Sequence, residues 1–199
     1  MEKPFSQSCV ENREPILAVL QTRLAGCRRL LEIGSGTGQH AVYFAPELPQ
    51  IFWQTSDKRE NHDAILAWLA DSEATNIGRP ISLEVLQDPW PSPGFDVVFS
   101  ANTAHIMPLD AVEAMFRGVG SVLNPGGQFL LYGPFNYDGR FTSASNERFD
   151  GWLKQRDPLS GIRDFRDLEL LAKSQGLVCV EDIEMPVNNR ILVWQRSVD

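Results

Sequence analysis

The fold of this chain follows from the stretch Leu30-Leu31-Glu32-Ile33-Gly34-Ser35-Gly36-Thr37-Gly38-Gln39-His40. Its residues up to Ile33 predict a strand, and three glycines at alternate positions predict a tight turn that leads into a helix. Because glycine has no Cβ, the backbone of such a turn can approach a ligand closely. The stretch therefore predicts an α/β fold with a ligand site at the end of its first strand.

The spacing of the glycines distinguishes between the ligands that such turns bind. A dinucleotide fingerprint has the pattern G-x-G-x-x-G, whereas here the third glycine, Gly38, comes one residue early and Glu32 stands two residues before the first. This acidic pattern resembles motif I of the class I S-adenosylmethionine-dependent methyltransferases. An ordinary tight turn in another α/β protein is the alternative, and a nicotinamide oxidoreductase is a further one.

The resemblance implies a fold and a cofactor. It implies a Rossmann-like α/β domain over residues 1–199, with a seven-stranded, mostly parallel sheet, an antiparallel C-terminal strand and helices on both faces. It implies S-adenosyl-L-methionine as methyl donor and S-adenosyl-L-homocysteine as product.

The charge and composition of the chain limit its partners. A net charge of −8 argues against a nucleic-acid substrate, because phosphate neutralisation needs clustered Lys and Arg. We therefore expect a small-molecule substrate. The three cysteines are widely spaced and predict neither a metal site nor a disulfide framework.

No apolar run approaches the roughly 20 residues that a membrane span needs, and the amino terminus lacks the apolar core of a signal peptide. We expect a cytoplasmic protein without a membrane partner. The sequence leaves open whether it is a monomer or a homodimer.

Apolar periodicity and turn residues predict the remaining elements. An irregular leader over 4–12 belongs to a lid segment, 1–13, and a helix follows from Asn12 to Gly26, with Pro15 in its first turn. The other predicted helices cover 59–73, 110–123, 145–155 and 164–175. The other predicted strands cover 51–56, 81–86, 95–101, 128–133, 177–184 and 190–196.

Two carboxylates come at or just after the ends of predicted strands. Asp57 closes the second strand, where an acidic residue accepts hydrogen bonds from ribose hydroxyls; capping of the next helix is the alternative. The resemblance implies that Asp88 contacts the adenine amino group. Trp90 either packs on the adenine or covers the surface as a plug.

Further polar residues should meet at the carboxyl ends of the strands. Arg13 suits the methionine carboxylate of the cofactor or an acidic substrate, because a guanidinium binds carboxylates in bidentate fashion; a surface role is the alternative. The predicted cofactor-binding set is Asn12, Arg13, Glu32, Gly34, Ser35, Gly36, Gly38, His40, Asp57, Asp88, Trp90 and Asn102.

The predicted catalytic residues are His105 and Tyr137. His105 follows a buried strand and suits a general base, if the acceptor must lose a proton; a structural histidine is the alternative. Tyr137 lies in a substrate-side insertion, 134–165, and either contacts the acceptor or belongs to the core. The predicted substrate-binding residues are Phe5, Asn136 and Asn146.

A closer resemblance covers nearly the whole chain. It rests on several stretches of the sequence, among them 12–17, 31–40, 132–135, 161–164 and 185–189. These stretches are similar to a methyltransferase-like family that is filed as a domain of unknown function and includes methyltransferase-like protein twenty-six. The resemblance implies the fold and the cofactor but no substrate.

The sequence thus predicts a methyltransferase that transfers a methyl group to a small molecule by in-line displacement. The alternative is a cofactor-binding regulatory or partner protein without catalysis.

Overall fold

A computed structural model describes residues 3–198; Met1 and Glu2 of the predicted lid, and Asp199, lie outside the described residues. The helices are α1 (Gln7–Arg23), α2 (Gln39–Glu47), α3 (His62–Leu69), α4 (Leu109–Val122), α5 (Ala144–Arg156) and α6 (Phe165–Ser174). The strands are β1 (Arg29–Ile33), β2 (Phe52–Asp57), β3 (Ile77–Ser82), β4 (Phe95–Ala101), β5 (Leu123–Gly133), β6 (Phe135–Asn136), β7 (Arg163–Asp164), β8 (Leu177–Met185) and β9 (Asn189–Arg196).

Seven of these strands form one sheet in the order β3-β2-β1-β4-β5-β9-β8. The first five are parallel, and β9 runs antiparallel to both β5 and β8. The order reverses between β1 and β4, and ligands in open α/β sheets bind at such a point, beside the carboxyl ends of the strands. The predicted mostly parallel sheet with an antiparallel C-terminal strand is confirmed.

Both faces of the sheet are covered by helices, as the alternation of side chains along β5 illustrates. Phe129 and Leu131 pack on the side of α4 and α6. Leu130 and Tyr132 pack on the side of α1 and α2. Because neighbouring residues of a strand face opposite sides, one continuously apolar strand supplies both halves of the core.

The first helix begins earlier than predicted. Residues 7–12 are helical rather than irregular, and Pro15 therefore lies inside α1 and not in its first turn. The side chain of Gln39 holds this helix start in place, because its Oε1 accepts from the Ser6 amide at 2.6 Å and its Nε2 donates to the Ser6 carbonyl at 3.2 Å. A contact between distant parts of the chain thus overrides the local composition.

The third strand lies earlier in the chain than the predicted range 81–86. β3 begins at Ile77, includes Pro80 and ends at Ser82. It ends there because Asp88 Oδ2 accepts from Ser82 Oγ and from the Glu84 amide, both at 2.8 Å, and so draws the chain into a turn. Pro80 is tolerated because β3 is an edge strand.

Two other boundaries differ from prediction. α3 ends at Leu69 and is preceded by a short 3₁₀ turn, so the helix predicted over 59–73 is shorter. Residues 124–127, which lie between the predicted helix over 110–123 and the predicted strand over 128–133, are part of β5, and β5 pairs with β4 across a register shift. Within residues 3–198, no helix combines the length and apolar character that crossing a bilayer requires.

Phe99 is the residue through which the core on the α1 and α2 side is most easily tested. It is fully buried in β4 and lies in edge contact with Phe44 and Trp53, at centroid distances of 6.1 and 5.9 Å. We expect Phe99→Ala to lower the free energy of unfolding by about 3–5 kcal/mol, because it leaves a cavity that the sheet cannot close. Urea unfolding measures this loss.

The matched control is Phe52→Ala, since Phe52 is 43% exposed on β2. Its expected cost is about 1 kcal/mol or less. Similar losses for the two variants would contradict the assignment of Phe99 to the core.

Candidate active site

The turn after β1 depends on glycines with positive φ. At Gly34, φ is +70° and a Cβ would lie 2.6 Å from Thr103 Cγ2; at Gly38, φ is +87° and a Cβ would lie 3.1 Å from Ile65 Cα. Gly36 also has a positive φ of +58°, but nothing lies within 4 Å of the place of its Cβ. The turn is therefore packed from both sides and open above its central glycine.

Glu32 is buried beneath this turn. Its Oε2 accepts from Ser35 Oγ at 2.8 Å and from Trp53 Nε1 at 3.0 Å. Burial raises the pKa of Glu32 to about 7, although both hydrogen bonds favour the charged form. The Ser35 hydroxyl also accepts from the Ser56 amide at 3.1 Å, so one side chain joins the turn to the end of β2.

The Asp57 carboxylate, which the sequence predicts to bind ribose, lies beside Gly36. Its Oδ2 accepts from the Gly36 amide at 2.6 Å, and its Oδ1 accepts from the Lys58 amide at 2.7 Å and from Asn61 Nδ2 at 2.8 Å. Since a carboxylate has about four acceptor positions, about one remains for a ligand hydroxyl. Asp57 thus braces the turn as well as facing the open space.

Asp88 lies just beyond the end of β3. The hydrogen bonds from the Glu84 amide and from Ser82 lower the pKa of Asp88, with a smaller effect of the charges on Arg59 and His62. The carboxylate is therefore ionised at neutral pH and can accept a further hydrogen bond.

Trp90 packs against the helix α4. Its ring lies against α4 in the notch that Gly118 leaves, where a methyl group on residue 118 would overlap the indole. The ring also packs on the core around α4. The structure supports the alternative of a plug that covers the core.

The amino-terminal helix brings Asn12 to α2. His40 Nε2 lies 2.7 Å from Asn12 Oδ1 and, since that oxygen only accepts, Nε2 donates. Burial lowers the pKa of His40 to about 4, so the ring is neutral. Arg13 stacks on Tyr43, at 4.4 Å from guanidinium carbon to ring centroid, and its buried Nε has no hydrogen-bond partner among the described residues.

A cavity of about 270 Å³ opens at the same edge of the sheet. Its walls come from α1, the ends of β4 and β5, the start of α5 and the turn between β8 and β9. Three of the predicted site residues line it, together with three others that shape it: Asn12, Asn102 and Asn146, with Tyr132, Phe149 and Asn189.

Tyr132 is a site residue that the sequence analysis missed. It is 3% exposed near the end of β5, and burial raises the pKa of its hydroxyl. Hydrogen bonds with the side chains of Asn12 and Asn189 lower this pKa and so offset part of the increase. Its hydroxyl is therefore protonated at neutral pH. The available signal was position alone, since Tyr132 ends a buried parallel strand as Asn102 follows another.

The two predicted catalytic residues do not line the cavity. His105 lies behind Phe149, in edge contact at 5.3 Å between ring centroids, and burial, with a smaller effect of the charge on Arg163, lowers its pKa to about 4. The Tyr137 hydroxyl donates to Asp182 at 2.7 Å, and its ring stacks on Phe165. Tyr137 therefore fits the alternative of a core residue.

Of the three predicted substrate-binding residues, one lines the cavity and two do not. Asn146 lines the cavity, and its Nδ2 donates to Thr142 Oγ1 at 2.9 Å and to the Asn188 carbonyl at 3.2 Å. Asn136 is buried, and its Oδ1 has no partner among the described residues. Phe5 is 60% exposed in the segment before α1, outside the cavity lining.

Glu32 should make the stability of the fold depend on pH. Its pKa is about 7 in the folded chain against an ordinary 4.5, so the folded chain binds more protons between these values and stability falls as the pH rises through them. Each unit of difference corresponds to about 1.4 kcal/mol. We expect Glu32→Gln to lose much less stability than the natural protein between about pH 4.5 and pH 8, measured by urea unfolding.

Glu47→Gln is the control, because Glu47 is exposed on α2. Its stability should follow that of the natural protein across the range. Parallel pH curves for Glu32→Gln and the natural protein would contradict the burial of an ionisable Glu32.

Solved structures with the same fold include methyltransferases. SibL, an S-adenosylmethionine-dependent methyltransferase in its apo form, is 20% identical with a TM-score of 0.80 over 96% of this chain and 56% of its own. An O-methyltransferase family protein from Burkholderia thailandensis is 17% identical, with a TM-score of 0.81 over 92% of this chain and 56% of its own. Human N-acetylserotonin methyltransferase, in complex with S-adenosylmethionine, is 16% identical, with a TM-score of 0.79 over 96% of this chain and 53% of its own.

This chain spans about half the length of those three proteins. At such low identity, the likeness establishes the fold, which is that of class I methyltransferases. The sequence itself matches one family over residues 3–196, described as protein of unknown function (DUF938). The chain belongs to this DUF938 family, and its fold is the Rossmann-like methyltransferase fold.

Proposed function

We propose that this protein is an S-adenosylmethionine-dependent methyltransferase that acts on a small molecule. One observation carries the proposal: the open space above Gly36, bordered by the Asp57 carboxylate, lies at the same edge of the sheet as the cavity between α1 and α5. A methyl transfer requires that the methyl donor and the methyl acceptor bind next to each other.

The residues around the turn fit the cofactor. Gly36 leaves room for a ligand against the backbone, and Asp57 retains acceptor capacity for a ribose hydroxyl. We assign the adenine amino group to Asp88. The methionine carboxylate suits Arg13, whose buried Nε is an unused donor.

Bound S-adenosylmethionine would supply a methyl group on a positively charged sulfur. The task of the protein is then to hold the acceptor atom about 3–3.5 Å from that methyl group and to exclude water. The asparagine-lined cavity suits this role. His105 is poorly suited as a general base, because its low pKa makes it a weak base and it is not among the residues that line the cavity.

The comparisons and the charge of the chain support this choice of reaction class. Solved structures with this fold are named as S-adenosylmethionine-dependent or O-methyltransferases, and a net charge of −8 disfavours a nucleic-acid acceptor. We further propose that the DUF938 family is the one that includes methyltransferase-like protein twenty-six, and that this protein acts in the cytoplasm.

Calorimetric titration tests the cofactor. We expect saturable one-to-one binding of both S-adenosylmethionine and S-adenosylhomocysteine, and no binding of NAD, because the turn lacks the dinucleotide spacing. Failure of both sulfur compounds to bind a folded sample would refute the proposal. Tight binding without methyl transfer to a broad acceptor panel would instead favour a regulatory cofactor-binding protein.

Asp57→Asn tests the ribose contact. A charge-assisted hydrogen bond is worth about 1.5–3 kcal/mol, so we expect the dissociation constant for S-adenosylhomocysteine to rise about tenfold or more. Asp63→Asn is the matched control, since Asp63 is an exposed carboxylate on α3. Equal affinity of the two variants would remove Asp57 from the cofactor site.

A further inference from the structure

The cavity between α1 and α5 restricts which acceptors the protein can take, an inference that rests on the proposed function. Its volume is about 270 Å³, whereas an apolar cavity of roughly 150 Å³ holds a benzene molecule. The space therefore suits a ligand of one or two fused rings. The ring of Phe149 and the prolines Pro15, Pro134 and Pro186 form its apolar surfaces, which suit the faces of a flat molecule.

Charge excludes most ionic ligands from this cavity. Among the described residues that line it, Glu11 is the one carboxylic acid, and none is Lys or Arg. Glu11 is exposed on α1, and its Oε1 accepts from Gln7 Nε2 at 3.1 Å. A carboxylate or phosphate in the cavity would lack an opposite charge, and a buried unpaired ion is costly. A cationic acceptor would be repelled by the positive charge of the bound methyl donor.

The cavity side chains that can still form hydrogen bonds with a ligand are neutral amides. Asn12 uses its Oδ1 on His40 and one N–H on the Tyr132 hydroxyl, and retains its second N–H as a donor. Asn146 uses its N–H donors on Thr142 and on the Asn188 carbonyl, and retains its oxygen as an acceptor. The cavity thus offers both an amide donor and an amide acceptor to a ligand.

The hydroxyl of Tyr132 adds a group that both donates and accepts. Tyr132 lines the cavity from the end of β5, next to Asn12 and Asn189. A neutral hydroxyl or lactam group on the ligand can satisfy such neighbours with a complementary pair of hydrogen bonds, whereas a hydrocarbon would leave buried polar atoms unpaired.

The wall opposite α1 is held in an unusual backbone conformation. Val187 has φ 61° and ψ 36°, and Asn188 has φ 59°, in the turn between β8 and β9. A β-branched residue in this region is strained and persists only where its surroundings enforce it. Here Asn188 is tied to α5 by Asn146 and by a 3.2 Å hydrogen bond from its own Nδ2 to Ser145 Oγ. The cavity wall is therefore formed before a ligand binds.

We infer that this cavity binds an uncharged, flat acceptor of one or two fused rings that carries a hydroxyl or lactam group, with Tyr132 as a binding residue. The cavity volume, the neutral lining and the paired amide groups lead to this class of ligand.

Three bicyclic probes test the class by calorimetry, each titrated into protein saturated with S-adenosylhomocysteine and into protein without it. The first is carbostyril, which is a neutral lactam. The second is the anion naphthoate, and the third is the cation naphthylmethylammonium. We expect carbostyril to bind at least about tenfold more tightly than naphthoate, because an unpaired ion costs that much or more. Naphthylmethylammonium is also titrated into protein saturated with S-adenosylmethionine, where the positively charged sulfur should weaken its binding about tenfold relative to the S-adenosylhomocysteine complex. Equal or tighter binding of naphthoate, unchanged binding of the ammonium, or no binding of carbostyril would overturn the inference.

The variant Tyr132→Phe tests the residue. We expect its affinity for carbostyril to fall about tenfold, while its affinity for S-adenosylhomocysteine stays within about twofold. Tyr43→Phe, which removes a hydroxyl outside the cavity, should change neither value. Wild-type affinity of Tyr132→Phe for carbostyril would remove Tyr132 from the binding site.

The two proposals fail in different ways. Protein that binds carbostyril but neither sulfur compound would refute the methyltransferase assignment and retain the cavity. Protein that binds S-adenosylhomocysteine but none of the probes would retain the cofactor and refute the acceptor class.

Discussion

The backbone of the turn after β1 is the constraint on which the site depends. Gly34 packs against Thr103 and Gly38 against α3, so neither position has room for a side chain. The amide of Gly36 is fixed by Asp57 from the end of β2. Two adjacent parallel strands, β1 and β2, therefore hold the turn in place. Gly34 and Gly38 are packed against the protein, so the turn is open only above Gly36.

A series of neighbouring polar side chains links this turn to the cavity. His40, in the helix that the turn begins, donates to Asn12, and Asn12 lies beside the Tyr132 hydroxyl at the end of β5. His40 and Tyr132 are both neutral at pH 7, because burial lowers the pKa of one and raises that of the other. The glycine turn and the cavity are thus joined by neutral hydrogen-bonding side chains.

The sequence predicted the fold because its signals are local. The glycine spacing, the apolar strand Phe95–Ala101 and the acidic residue at the end of β2 each depend on neighbours in the chain. The features that the sequence did not reveal come from contacts between distant residues. The ring of Trp90 fills a notch made by Gly118, and Gln39 fixes where α1 begins.

The cavity was harder to predict for a related physical reason. Tyr132, Phe149 and Asn189 come from a strand, a helix and the start of another strand, all far apart in the chain. Each residue type is ordinary in its own element. The pairing of β5 with β9 brings Tyr132 and Asn189 together, and the packing of α5 against the turn before β9 adds Phe149. The way Gln39 holds Ser6 has an evolutionary consequence. Because these two hydrogen bonds reach only main-chain atoms of residue 6, the side chain at that position can diverge while the contact that fixes the start of α1 is inherited.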